Sequence, residues 1–385
     1  MTSIIKNIKY KEQWLLYIFL NILFIWKYMS RTMFNPLIGI IFFILFCIFI
    51  VAIYYNIIKK NNKNLTKYFI ICILLISCSL IGYILYKIDP LSVNVDRWSA
   101  TSYFLDGLFN GVYPYGIHTH VCETNYPSPS PMWFYLNIPF WLLGDVGLGL
   151  IFFLLFITKM IYWFTNSYKN TLLFLLLLVI SPAYWWEIIV RSDGLSNSFV
   201  IFSFILFFEK YKLSFQSQWI VTTILCGIMA ATRLWAPIAP AIYLSKSFLK
   251  VSLIRKIYII LIILLIVFLF FVPYIFWDTQ NWIFFSRNPF LSETSTGNKW
   301  ILLIMIIIVL YISLKFHNFN QYCISTSCFF TLFFFVSLLF NHLINNSDIP
   351  IFEDPDFDIS YFSLMLPYCL FTISKTFTDF IKKCN

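Results

Sequence analysis

Between residues 96 and 131 the chain reads DRWSATSYFLDGLFNGVYPYGIHTHVCETNYPSPSP, its longest polar interruption. Three acids stand in it, Asp96, Asp106 and Glu123, with Asp89 just upstream, and so do His118 and His120, two of the chain's four histidines. A carboxylate can take the proton from a hydroxyl as that oxygen attacks an electrophilic carbon. Asp96 also precedes a stretch, 97–110, in which Trp98, Thr101, Phe104, Leu105, Leu108 and Phe109 share one helical face, so it stands where aspartate caps a helix. Base and cap are compatible roles. Asp106 reads otherwise as solvated helix face and Glu123 as solvated loop. His118, His120 and Cys122 alternate, so an extended segment would turn all three toward one metal. Nothing else in the sequence completes such a site; a phosphate or sugar contact suits either histidine better, and a plain loop is the simplest reading. Further along, Arg191, Arg233, Arg287 and Lys299 suit a phosphate, arginine by its bidentate fork. The bland alternative for each is snorkelling to headgroups. Arg233 is the best of the four, because it ends an apolar helix at a depth where charge is expensive. Asp193 either binds a sugar hydroxyl or caps the helix after it, and Arg191 either pairs with it or reaches a phosphate. Trp98, Tyr103, Tyr113, Tyr126 and Trp133 are candidates for stacking on sugar rings. The run Glu353-Asp354-Pro-Asp356-Phe-Asp358 has neither the glycine nor the spacing of a calcium loop and reads as a solvated acidic loop.

The elements that must position these residues are apolar. Of 385 residues 60% are hydrophobic and 11% charged, where a soluble domain carries about a quarter charged. Continuous apolar runs of about 20 residues imply membrane helices, whereas a barrel would show alternating strands of about ten. The expected fold class is therefore all-α: a polytopic bundle of about twelve membrane helices with interfacial helices in the first large outer loop. The helices are expected over 13–28, 36–58, 68–88, 146–164, 171–188, 194–208, 219–232, 237–249, 257–276, 300–316, 322–343 and 359–380, and the interfacial ones over 97–110 and 132–143. Gly111 should close the first of these. Basic clusters set the orientation, since cytoplasmic turns collect Lys and Arg. Lys6, Lys9 and Lys11, then Lys59, Lys60, Lys63 and Lys67, and finally Lys382 and Lys383 put both termini in the cytoplasm and 89–131 outside. Acids were not used for this assignment, yet nearly all fall outside; only Glu12, Glu209 and Asp379 fall inside. Lys27 and Arg31 fall outside against the rule. The net charge of +10 reads as topology rather than nucleic-acid binding, since no soluble basic domain is present. Seven of the nine cysteines lie in apolar runs as small hydrophobes, and no disulfide framework is indicated. The first apolar run lacks a cleavage site and is expected to be retained.

The ordered set of motifs resembles the GT-C superfamily of integral-membrane glycosyltransferases, the mannosyltransferase-like enzymes that use sugars carried on polyprenyl or dolichyl phosphate. The resemblance rests on Asp96 in the first large outer loop, on Gly111-Val-Tyr-Pro-Tyr115, and on Asn125-Tyr-Pro-Ser-Pro129. Arg191-Ser-Asp-Gly-Leu195 and Gly227-Ile-Met-Ala-Ala-Thr-Arg233 continue it, so it spans roughly 68–250 in order. The family's acid follows its first helix, whereas Asp96 follows the third; residues 1–66 would then be a two-helix extension and 67–385 the core of a single membrane domain. Arg97 replaces the second acid of the family's pair, and Ser128 splits its tandem proline. The resemblance implies a membrane enzyme that moves a hexose-type sugar from a polyprenyl-phosphate donor to a hydroxyl on a glycan, glycolipid or protein. The low charge and the wealth of Lys, Asn and Ile look like an AT-rich bacterial genome, and so the bacterial inner or plasma membrane. Asp96 would be the general base, and Arg233, Arg191, His118, His120, Tyr126 and Asp193 would contact substrate. No cofactor is required, although a divalent cation is compatible. A transporter or flippase of polyprenyl-linked glycans, or a polymerase, is the other class. Transport would call for charges at mid-membrane and an inverted repeat, and no repeat is visible.

Overall fold

The computed structural model describes residues 11–60, 62–277, 288, 291, 298–345, 348–354 and 357–384, without the side chains of 382–384. Among them every regular element is helical. In chain order these are α1 (Lys11–Met29), α2 (Pro36–Lys59), α3 (Lys63–Lys87), α4 (Arg97–Asn110), α5 (Pro131–Leu142), α6 (Leu148–Thr165), α7 (Tyr168–Val179) and α8 (Pro182–Ile189). They continue as α9 (Gly194–Tyr211), α10 (Trp219–Ala230), α11 (Ile238–Leu249), α12 (Leu253–Trp277), α13 (Lys299–Lys315), α14 (Phe319–Asn345) and α15 (Leu366–Cys384). A 3-10 segment, Ile359–Met365, leads into α15.

Local sequence explains where they start and stop. Asn35 and Asn62 cap α2 and α3, and Ser167 and Ser181 cap α7 and α8, each through the side chain. Pro36, Pro131 and Pro182 open their helices, where a missing N–H is harmless. Gly111 closes α4 in the left-handed region at φ 72°, as a glycine in that place should.

The bundle is built around α7. Residues 172–178 are buried on every side, which is what a helix apolar all round requires. It packs on α3, α6 and α15. Helix α1 belongs to the same core: the Tyr17 hydroxyl donates to the Leu177 carbonyl at 2.7 Å, and Ser327 donates to Gln13 at 2.8 Å.

Among the described residues five helices, α2, α3, α6, α12 and α14, are long and apolar enough to cross a membrane, and α7 with α8 makes a sixth if the pair is one span bent by 65°. Phe42, Leu75 and Leu264 on α2, α3 and α12 are all more than half exposed. Apolar surface on that scale is foreign to water and suits hydrocarbon. The bend corrects the expectation of one continuous helix over 171–188. Pro182 withholds its N–H, and buried Asn21 of α1 supplies the missing partners. Its Oδ1 accepts from the Ser181 hydroxyl at 2.5 Å and from the Ala183 N–H at 3.1 Å. Helices α10 and α11 have 12 residues each, only about 18 Å of helix, and the turn between them carries Arg233 into the protein.

Both expected interfacial helices form. Helix α4 occupies 97–110, and α5 starts one residue early at Pro131. They face each other through a second apolar cluster, separate from the main core. The Phe104 ring stacks on Phe134 at 3.5 Å, Tyr115 meets Phe104 edge-on at 4.8 Å, and Phe271 and Tyr274 of α12 close the cluster. Thr101, Phe104 and Leu105 are buried as their spacing predicts. Phe109 is half exposed but stacks on Trp141 at 4.6 Å. The indole of Trp141 donates to Asp106 at 2.8 Å, so that acid is held rather than simply solvated.

Candidate functional site

Asp96 occupies the N-cap place of α4, with φ −84° and ψ 5°, but its side chain makes no capping hydrogen bond. The carboxylate turns instead toward the segment after the Pro-Tyr turn. Its Oδ2 accepts from the Thr119 hydroxyl at 3.3 Å and from the Asn125 amide at 3.4 Å. These are at the long end of hydrogen-bonding range, and Asp96 is half-buried. It is held in place without being used up.

The opposing segment is fixed by its own backbone. Thr119 N–H donates to Asn125 O at 3.0 Å, and Asn125 N–H to Cys122 O at 3.1 Å. His120 pins it to α4: Nε2 lies 3.0 Å from the Val93 carbonyl and Nδ1 lies 2.7 Å from the Ser99 hydroxyl. A carbonyl only accepts, so Nε2 carries the proton and Nδ1 faces the hydroxyl. Both ring nitrogens are thus committed to holding the loop. His118 is exposed, with its ring 4.7 Å from that of buried Tyr126. The two histidines and Cys122 do not converge; among the described residues no three His, Cys, Asp or Glu side chains do.

The expected phosphate-binding arginines are paired. Arg191, itself in the left-handed region at φ 50°, meets Asp145 at 2.8 Å and donates to the carbonyls of Leu85 at 2.8 Å and Ile88 at 2.9 Å. It clamps the end of α3. Burial lowers its pKa, and Asp145 and Asp89 oppose that shift. Arg233 is 5% exposed; it pairs with Asp193 and donates to the Ser128 hydroxyl at 3.1 Å. Asp193, like Asp96, stands at a helix N-cap place without capping, and here the reason is Arg233. A buried guanidinium needs a carboxylate, so both arginines tie loops together. Arg233 Nε and Asp193 Oδ1 remain buried with no hydrogen-bond partner. Beside them Thr101, Asn137, Arg191, Ser192, Asp193 and Ser196 line a cavity of about 20 Å³, room for about one water.

Two acids of the run 353–358, Asp354 and Asp358, are not simply solvated, which corrects the sequence expectation for them; Asp356 lies outside the described residues. Asp354 is fully buried with His342 Nδ1 at 2.6 Å from its Oδ2. Lys27 donates to the carbonyls of Asp354 and Phe357 at 3.3 and 2.5 Å, and Arg31 to that of Phe352 at 3.1 Å. Lys27 and Arg31, which broke the basic-inside rule, are therefore anchors for this segment. Asp358 pairs with Arg97 and accepts from Ser360 N–H at 2.9 Å. Burial alone would raise the Asp358 carboxyl; Arg97 and the Ser360 hydrogen bonds outweigh it and hold the group below its usual range. Exposed Glu353 fits the sequence reading.

Sequence reasoning missed Glu187. Read as part of an interfacial aromatic belt, it is 1% exposed, with Ser192 as the hydrogen-bonding neighbour of its carboxylate. Arg97, Asp358 and Asp193 all act on it electrostatically. Its position between two tryptophans and a hydrophobic run was the available signal. Asp145, Thr119, Asn125 and Ser128 were also missed, because nothing local marks their partners. Arg287 lies outside the described residues. Lys299 starts α13 with its ammonium 5.6 Å from the Trp300 ring. Fold and site together define a helical protein suited to a bilayer, with Asp96, Asp193 and Arg233 at one loop-built end. No family model, curated protein or solved structure matches this chain.

Proposed function

We propose that this chain is a multi-pass membrane glycosyltransferase of GT-C type, with about twelve membrane passages in all. It moves a hexose-type sugar from a polyprenyl-phosphate donor to a hydroxyl of a glycan, glycolipid or protein. The end carrying 96–131 faces outside, both termini face the cytoplasm, and Asp96 is the general base. The observation that carries this reading is the state of Asp96. Asp106, Asp145, Asp193, Asp354 and Asp358 are each committed to a short side-chain partner. Asp96 holds only its two long hydrogen bonds, on a rigid helix end, and can accept the acceptor's proton as its oxygen attacks the anomeric carbon. The lipid phosphate leaves without strong acid help. The substrate-contact set changes accordingly: Asp96, Thr119, Asn125 and exposed His118 face the acceptor, while Arg191, Arg233, Asp193 and His120 hold the frame.

Replacing the base should cost about 10²-fold or more in rate. Asp96→Asn is therefore expected to abolish transfer from a radiolabelled polyprenyl-phosphate-sugar pool in membranes while donor binding and expression hold. Full activity in Asp96→Asn would remove the base assignment. A wild-type chain inert toward every such donor would move the reading to translocation of lipid-linked glycans.

A further inference from the structure

At the end opposite Asp96 the surface forms an open pocket of about 360 Å³, within the range of about 300–1,000 Å³ typical of small-ligand sites. The ends of α9, α11 and α14 and the link after α13 form it. Its floor is aromatic: Tyr243 stacks with Phe316 at 6.5 Å and meets Tyr322 edge-on at 5.1 Å. Its rim is basic, with Lys212, Lys246, Lys250 and His317. Glu209 is the single acid in the lining, and it is already occupied, accepting from Lys212 at 2.5 Å and from the Tyr243 hydroxyl at 2.7 Å. Among the described residues no carboxylate forms an ion pair with Lys246 or Lys250. Two lysines thus share an open pocket in which the one acid among the described lining residues is already paired, a positive surplus suited to an anion.

The wall is held, not loose. The Phe215 N–H donates to the Ser247 hydroxyl at 3.4 Å, and the Phe215 and Phe248 rings meet at 5.9 Å. On the outside, α11 packs on α13, and Leu249, Tyr311 and Leu314 expose large apolar surfaces where these helices reach the cavity. A ligand with an anionic head and apolar tails would place the head on the lysines and the tails along α11 and α13. Basic pockets between membrane helices bind lipid phosphates in this way.

We propose that the cavity lined by Lys246, Lys250 and Tyr243 binds the phosphate headgroup of an anionic membrane lipid. The inference is independent of the glycosyltransferase reading, because it uses none of the residues near Asp96. It is tested by titrating fluorescent phosphatidic acid into the full-length chain in non-ionic detergent. Phosphatidylcholine with the same tails is the comparison, and inorganic phosphate the competitor. Saturable binding of phosphatidic acid is expected, with Lys246→Gln/Lys250→Gln weakening it by about thirtyfold, roughly fivefold for each lysine. Lys63→Gln/Lys67→Gln, which removes equal charge elsewhere, should change it by less than about twofold. Unchanged binding in Lys246→Gln/Lys250→Gln, or equal binding of phosphatidylcholine, overturns the site. Displacement of the lipid by inorganic phosphate at matching concentration overturns the lipid source and assigns the cavity to free phosphate. Should the double variant not fold, exposed Lys250→Gln alone carries the test, with a loss of about fivefold.

Discussion

Arg97 and Asp358 stand 261 residues apart, and their pairing fastens α4 to the segment before α15. The side chains are 17% and 19% exposed. Breaking one partner of a buried pair costs about 3–5 kcal/mol; with the partial exposure here, about 2 kcal/mol is the reasonable figure. The pH dependence follows from the sign. Asp358 is held below its unfolded pKa, which is about 3.9. Its contribution is therefore complete above that value and is lost as pH falls through the folded one. The melting temperature of the solubilised chain should drop below about pH 4. Asp358→Asn should melt lower at neutral pH and lose part of that acid sensitivity. Parallel curves for the two proteins would show that the pair contributes nothing. The contrast with Asp96 explains how much of the site the sequence disclosed. Asp96 was legible because polarity, helix period and a terminal glycine all mark its loop. The fate of Arg191 and Arg233 was not, because the acids that neutralise them come from elsewhere: Asp145 precedes α6, and Asp193 lies 40 residues before Arg233. A charge beside an apolar run signals expense; it does not say who offsets it.

The helices divide by the same criterion. Helix α4 was readable to the residue, since a clear apolar face ends at a glycine. The break between α7 and α8 was half readable. Ser181-Pro182 is a stop signal, but hydropathy runs straight through it, and the buried amide that sustains the break lies on α1. Close helix contacts are similarly hidden. Gly227 on α10 faces Ile266 on α12, and a Cβ there would stand 2.8 Å from Ile266 Cδ1 and 2.9 Å from Ile266 Cβ. The Cδ1 could swing away; the Cβ, fixed to the backbone, could not. A small residue is what lets the two helices approach. Gly227→Val should therefore destabilise the chain by about 1–3 kcal/mol, seen as a lower melting temperature. Ile266→Ala in the same chain should recover part of the loss, whereas simple additivity of the two changes would mean that they do not share this contact.

At the scale of the whole molecule the polar groups are sorted to two ends. One end holds Asp96, Asp145, Asp193, Asp354 and Asp358, with Arg191, Arg233 and Arg97 answering Asp145, Asp193 and Asp358 and His342 answering Asp354. The other holds Lys169, whose backbone carbonyl accepts from the Tyr54 hydroxyl at 3.2 Å, and the lysine-rimmed cavity. Lys27 and Arg31 join the acidic end, where the carbonyls of Phe352, Asp354 and Phe357 receive them. The orientation that the proposed chemistry needs can be measured directly. Cys122 is exposed at the acidic end, and hydrogen bonds from Thr124 lower its thiol pKa, which favours the reactive thiolate. A membrane-impermeant maleimide added to intact cells should label the wild-type chain and leave Cys122→Ser unlabelled. Lys250→Cys in the Cys122→Ser background should label only after permeabilisation, since it marks the opposite end. The reverse pattern would turn the acidic end toward the cytoplasm. Nucleotide sugars, which are absent outside the cell, would then be within reach of Asp96, and no lipid carrier would be needed to bring the sugar across the membrane to it.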